Sequence, residues 1–377
     1  MKTQTTIGIT RCQDYVWPEV KEEVERTVDA LGGFGAFIPK GAEVLLKANL
    51  LSAREVDHAV TTHPLIVRAV AELVMEAGGK PFIADSPSLS TARRVSAKCG
   101  IGAVADELGI AVREFSRGSR VIAEQHSPFS EYLIAPEALK ADVVINLPKI
   151  KTHTQMLLTL CVKNMFGCVP GKLKAQWHLR AGSDRDTFAA MLLDIYRFVN
   201  PALTIVDGVV GMEGDGPNAG TPRKLGWLMA GTDCVALDVL ISAMLGLKED
   251  LSTTRVARKH GIGIFTLEDI DVIGCDWNSL ILSDFHFPSL SDVDFPMPPF
   301  LKRFLKRGMT TYPRVDSAGC ELCMACVEIC PVHAATMENE KISIDLDRCI
   351  RCYCCQETCP AGAIYLKKGW LQRIMRL

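Results

Sequence analysis

The sequence predicts an α/β fold: a large domain with a mainly parallel sheet flanked by helices, followed by a small C-terminal α+β domain. Two observations carry this expectation. Up to Pro288, short runs rich in β-branched residues alternate with helix-like segments, the pattern of strand–helix–strand units. Beyond Pro288 a proline-rich basic stretch leads into two dense cysteine runs. The expected organisation is a large domain over 1–288, a linker over 289–315, the small domain over 316–366 and a basic tail over 367–377.

The first strand is "TIGIT"; the opening "MKTQTTIGITRCQDY" has no apolar stretch of the signal-peptide kind. The helix "WPEVKEEVERTVDALGG" follows, then the strand "EVLLKA" and the helix "HPLIVRAVAELVMEAGG". Both helices close on Gly-Gly, and Thr-Thr-His-Pro starts the second. The strands "PFIAD", "DVVINL", "LTIVDG" and "DVIGC" complete the alternation. The apolar stretch Leu228–Leu247 is long enough to span a bilayer. Asp233 and Asp238 interrupt it, each costing about 2.5–3.5 kcal/mol at the bilayer centre, so it reads as a turn and a buried helix. No transmembrane segment is expected.

The chain is 48% apolar and 23% charged, with a net charge of −2, so it reads as globular and gives no reason to expect a nucleic-acid or anionic-membrane partner. Neither a Walker A loop nor a GxGxxG after the first strand is present, and nucleotide binding is not indicated.

Open α/β sheets bind ligands at the carboxyl ends of their strands. Polar residues follow four of them: Lys47 and Asn49; Asp85 and Ser86; Asn146, Lys149, Lys151 and His153; and Asp207. In "PKIKTH" an extended backbone puts Lys149, Lys151 and His153 on one face, suiting an anionic small molecule. The competing reading is an exposed edge strand protected by lysines. Lys163 and Asn164 sit in an otherwise apolar helix, where a charge must reach water or find a partner. Asp207, Glu213 and Asp215 ride on a glycine-rich segment, either an ordinary loop or a site for a divalent cation.

The cysteine runs "CELCMACVEICP" and "CIRCYCCQETCP" both hold C-x2-C-x2-C-x3-C-P, the spacing of bacterial [4Fe–4S] sites. In two-cluster proteins of this pattern the fourth cysteine ligates the other cluster. One cluster then takes Cys320, Cys323, Cys326 and Cys359; the other takes Cys349, Cys352, Cys355 and Cys330. Zinc is the rival, but zinc sites rarely need the same unit twice. Cys12, Cys99, Cys161, Cys168, Cys234, Cys275 and Cys354 fall outside the motifs, as in a cytoplasmic protein with free thiols. Cys161 and Cys168 read as core residues or as ligands of a third metal, and Cys354 as a spare thiol. The acidic residues of this region, Glu357 among them, lie between basic segments; both read as solvated faces, or the segments clamp the module onto the main body or a redox partner.

Asp316 to Leu366 resembles the bacterial-type ferredoxin domain, which implies a 2[4Fe–4S] module. The order "LLKANL", "TTHPLIVRAV", "IADSP", "NLPKIKTH", "VKNMFG", "IVDGVVGMEGDGP" and "GTDCVALDVL" resembles the domain of unknown function 362 family over about Ile7 to Cys275. That resemblance implies a fold and a redox context. Matched to the family motifs, the site residues are Lys47, Asn49, Asp85, Lys149, Lys151, His153, Lys163, Asn164, Asp207 and Asp238.

The leading expectation is an anaerobic iron–sulfur oxidoreductase with two [4Fe–4S] clusters, fed by a redox partner protein or low-potential donor. It acts on an anionic small molecule or a second cofactor. His153 is the expected proton donor or base, Lys149 and Lys151 hold the anion, and Asp207 orients a lysine or a cation. The alternatives are a non-catalytic electron-transfer or cofactor-maturation protein, and a non-redox enzyme such as an isomerase with structural or sensory clusters.

Overall fold

A computed structural model describes residues 4–124, 127–182, 184–288 and 311–370. Most of the linker expected at 289–315, and residues 371–377 of the tail, lie outside the described residues.

Among the described residues twelve strands precede the linker: β1 (Thr5–Arg11), β2 (Glu43–Ala48), β3 (Lys80–Asp85), β4 (Val112–Glu114), β5 (Ser119–Ile122), β6 (Glu131–Ile134), β7 (Val143–Leu147), β8 (Lys149–His153), β9 (Leu157–Thr159), β10 (Leu203–Glu213), β11 (Thr221–Gly231) and β12 (Ile270–Gly274). Ten of them form one sheet, ordered β12-β1-β11-β10-β7-β2-β3-β4, with β8 and β9 branching from β10; β5 and β6 pair separately. Six of its nine pairings are parallel. The sheet is therefore mixed: β11 runs against both β1 and β10.

The central strands are buried on both faces. Val44, Leu46, Val143 and Ile145 pack into one core with the helices Glu19–Asp29 and Pro64–Glu76. Leu45 and Val144, one residue out of step, pack into the other core with the helices Arg185–Val199 and Cys234–Met244. This is the two-residue period of a strand covered on both sides. His63 caps the helix Pro64–Glu76, accepting from Leu65 N, and Asp233 caps Cys234–Met244. Among the described residues no helix is long and apolar enough to cross a membrane.

One expectation is corrected. Asp207 does not end its strand, because β10 continues to Glu213 and forms a long hairpin with β11. The glycines read as a loop are mostly there for space. Of Gly208, Gly211, Gly214, Gly216 and Gly220, Gly214 alone takes a positive φ, of 75°. At Gly216 a Cβ would stand 2.3 Å from Thr152 O, so glycine lets the hairpin tip lie on β8.

The C-terminal part pairs β13 (Tyr312–Val315) with β16 (Ile364–Lys367), and β14 (Ala335–Glu338) with β15 (Lys341–Ile344). A short helix lies within each cysteine run, Ala325–Ile329 and Cys354–Thr358. Hydrogen bonds fasten it to the large part, Lys172 to Glu328 among them. Arg54 Nη1 donates to Pro360 O at 2.8 Å and Asn218 Nδ2 to Cys359 O at 2.5 Å. Thr154 Oγ1 donates to Gln356 Oε1 at 3.0 Å, and Gln356 Nε2 donates to Asp215 O at 3.2 Å.

Candidate functional site

The parallel strands β2, β3 and β7 end side by side, and their exit residues meet. Lys47 Nζ lies 3.1 Å from Asp85 Oδ1, both side chains buried. Asp85 Oδ2 also accepts from Leu50 N at 2.7 Å. Asn49 Nδ2 donates to Asn164 Oδ1 at 2.9 Å, and Asn164 Nδ2 donates to Asn146 Oδ1 at 2.7 Å. Asp238 seats the short helix Cys161–Asn164, accepting from Cys161 N at 2.7 Å and Val162 N at 3.3 Å. Burial pushes the Asp238 carboxyl up to about 7. Cys161 and Cys168 are fully buried in the core.

The "PKIKTH" cations are not an exposed edge. Lys149, Lys151 and His153 are at most 2% exposed, and β8 pairs on both sides. Nor do they share one ligand. Lys149 Nζ lies 2.9 Å from Asp207 Oδ2 and donates to Tyr15 OH at 2.7 Å. Tyr15 OH donates to Asp207 Oδ1 at 2.5 Å, and the Tyr15 ring stacks on His63 at 3.5 Å. Lys151 Nζ donates to Asn49 Oδ1 at 2.7 Å and Val60 O at 2.6 Å. Their partners are the protein's own groups, so the expected anion grip by Lys149 and Lys151 gives way to internal bracing. Asp207 does orient a lysine.

His153 differs most from its expected role as a base. Its Nδ1 accepts from Gln155 N and Met156 N, both at 3.1 Å. Its Nε2 meets Glu357 Oε1 at 2.6 Å, without the alignment of a hydrogen bond, and neither atom has another partner. Burial holds His153 down at about 4, with Lys163 adding to the effect. It is a neutral ring at the joint between the two parts. Glu357, read as part of an acidic face, points inward.

A crevice of about 70 Å³ opens beside this joint, between the strand exits and the cysteine-bearing part. Asn49, Asp85, Lys163, Asn164, Lys174 and His178 line it from the large part, with Ile329, Cys354, Glu357 and Thr358 opposite. Lys163 makes no hydrogen bond or ion pair among the described residues; burial lowers its pKa, and Glu357 is the first of the charges opposing that. Lys174 is lowered to about 8, again by burial. His178 Nδ1, on the crevice wall, is buried without a hydrogen-bonding partner. A buried polar atom left unpaired at a hollow marks a place where a polar guest belongs. A larger hollow of about 460 Å³, between Glu124 and Gly263, contains none of these residues. Among the described residues no three His, Cys, Asp or Glu side chains converge on a single metal ion. Glu213 instead faces Arg223 and His286.

The structure brings cysteines of the two runs together. Cys320, Cys323, Cys326 and Cys359 line one tight hollow, walled mainly by apolar residues such as Val315, Ile342 and Ile364. Burial pushes Cys326 up to about 11, and Cys359, Cys323 and Cys320 add to this. Cys355 is raised by burial, then by Cys352 and Cys349, with Cys326 and Cys330 also contributing. The donor set fits two cubanes. Cys354 turns away, onto the crevice wall.

The family described as Domain of unknown function (DUF362) matches residues 44–243, more than half of the chain. The chain belongs to the DUF362 family. A 4Fe-4S dicluster domain matches residues 312–360, and this DUF362 protein carries two [4Fe–4S] clusters there. A thylakoid-associated protein of Synechocystis sp. is 38% identical over 303 residues, 80% of this chain and 94% of that one. Two solved structures are more distant. A Thermotoga maritima protein has a TM-score of 0.37 at 13% identity, covering 57% of this chain and 55% of its own. The lactate racemase apoprotein of Thermoanaerobacterium thermosaccharolyticum has a TM-score of 0.35 at 12% identity, covering 58% and 53%. This chain thus spans about half the length of those two.

Of the ten large-domain residues expected in the DUF362 site, Asn49, Asp85, Lys163 and Asn164 line the crevice. Lys47, Lys151 and His153 contact crevice-lining residues, and Asp238 seats the helix carrying two of them. Lys149 and Asp207 form the separate knot with Tyr15. Lys174, His178, Cys354 and Glu357 were missed. Lys174 and His178 are four apart on the helix Leu173–Ala181, a spacing that places both on one face.

Proposed function

We propose that this protein is an iron–sulfur oxidoreductase acting on a small anionic molecule in the crevice. Residues 1–288 would form the binding domain and 316–366 the electron-carrying one. The clusters, when bound, supply one-electron transfer. The chain's own residues do the rest. Lys163 and Lys174 present cationic donors, Asn49 and Asn164 present amides, and Glu357 with Ile329 closes the crevice against water. His153 acts as a positioning residue, its neutral ring seating Glu357. The reading is carried by the crevice's mixed lining, cations on one wall and the cysteine-bearing helix Cys354–Thr358 on the other. Buried free thiols throughout the large part support a reducing, cytoplasmic setting.

The test begins with anaerobic protein, which should hold about eight iron and eight sulfide per chain. Acetate, as a probe anion, is then titrated by calorimetry. Lys163→Ala should weaken it by about 1.5–3 kcal/mol, the worth of a charge-assisted hydrogen bond. Zinc in place of iron, or acetate binding indifferent to Lys163, would overturn the reading.

A further inference from the structure

We infer that the crevice is the inner end of a two-compartment site, whose ligand joins a small anionic head to a neutral, hydroxyl-bearing body. This rests on the crevice reading above and extends it outward. The crevice offers only about 70 Å³. A water needs roughly 10–15 Å³ on this measure, so a head of a few atoms fills it. Ligand sites are usually several times larger, roughly 300–1,000 Å³.

The missing volume lies next door. An open groove of about 390 Å³ shares Ser86, Pro87 and Ser88 with the crevice as a common boundary. That boundary is fixed in place. Ser86 Oγ accepts from Gly171 N at 2.6 Å, and Lys174 Nζ donates to Ser86 O and, at 2.6 Å, to Val169 O. Lys174 thus stands on the partition with its side chain on the crevice wall.

The groove's lining is polar but charge-satisfied. Its two charged residues are Glu114, which accepts from Ala92 N, and Lys172, which pairs with Glu328. Hydroxyls and an amide remain: Ser88, Ser90, Ser116 and Gln176. Ser90 Oγ is buried and has no partner. A second anionic group would find no free cation there, whereas hydroxyls would find donors and acceptors.

The probes are acetate and gluconate, which share a carboxylate head and differ by a hydroxylated chain. Calorimetry on the anaerobic, cluster-loaded protein should find gluconate bound at least about tenfold more tightly, the worth of one or two net hydrogen bonds. Ser116→Trp, at an exposed groove position, should abolish that advantage and leave acetate unchanged. Ser90→Ala, a milder change, should weaken gluconate about fivefold without touching acetate. If gluconate gains nothing, or keeps its gain in both variants, the outer compartment is refuted while the crevice stands. If acetate does not bind, or binds equally to Lys163→Ala, the crevice reading falls and this inference with it.

Discussion

Lys47 and Asp85 offer the sharpest energetic test of the strand-exit network. Their charges stand 3.1 Å apart, with 0% and 6% side-chain exposure. At an effective dielectric constant of about 20, that separation corresponds to roughly 5 kcal/mol of attraction. Desolvation offsets most of it, so the pair's net worth is small. Breaking it is another matter, since one charge is left buried alone, at about 3–5 kcal/mol. Asp85 keeps two backbone donors, Leu50 N and Ser86 N, both at 2.7 Å. Lys47→Met should therefore fall near the lower end, about 3 kcal/mol. Asp85→Asn strands the lysine with only Ala48 O as its acceptor and should cost at least as much. The double variant should cost much less than the two added together. Urea unfolding followed by tryptophan fluorescence reads the large part, which holds Trp17, Trp177, Trp227 and Trp277. Single losses below about 1 kcal/mol, or plain additivity, would refute a buried, mutually dependent pair.

Gly167→Ala should reproduce much of the Lys47→Met loss in the same assay, because its Cβ would stand 2.2 Å from Asp85 Oδ1 and 2.5 Å from Lys47 Nζ. Burial holds His63 and His153 at about 4 and His178 at about 3, all below the ordinary 6.5. Below pH 6.5 the unfolded chain takes up protons that the fold refuses, so stability is full above that pH and declines as pH falls toward 4. Each histidine contributes about 1.4 kcal/mol per pH unit, giving roughly 6 kcal/mol for the three between pH 6.5 and 5. His178→Phe, which keeps the stack on Phe188, should remove about a third of the decline in urea melts; an unaltered pH profile would dismiss His178 as one of its sources. Cys359→Ala should disturb the cluster of Cys320, Cys323 and Cys326 while sparing the other, as read by electron paramagnetic resonance of the reduced protein. Loss of the cluster held by Cys349, Cys352 and Cys355 instead would contradict the crossed ligand set.

The fold was legible wherever a strand was short and apolar, because alternation with helices leaves few other architectures. The exits were legible too: Lys47, Asn49 and Asp85 end buried strands, where polar side chains need a reason to be. β10 was not, since its glycines look like a loop. Gly208 in fact makes room for Trp227, whose ring would stand 2.4 Å from a Cβ there. His153 was misjudged for a different reason. Its chemistry is set by Glu357, far away in sequence, and no local pattern announces that contact. The basic stretches expected to clamp the module lie largely outside the described residues. Among the described residues the basic fasteners are Lys172 with Glu328 and Arg54 with Pro360 O.

The fastening by Arg54, Thr154, Gln356 and Asn218 changes the kinetics this chain can show. A separate ferredoxin must find its client by diffusion, and its rate falls as the solution is diluted. In the oxidoreductase proposed above the carrier is already seated, so the encounter is intramolecular and governed by an effective concentration rather than a real one. Turnover per chain, measured with excess donor, should then be the same at nanomolar as at micromolar protein.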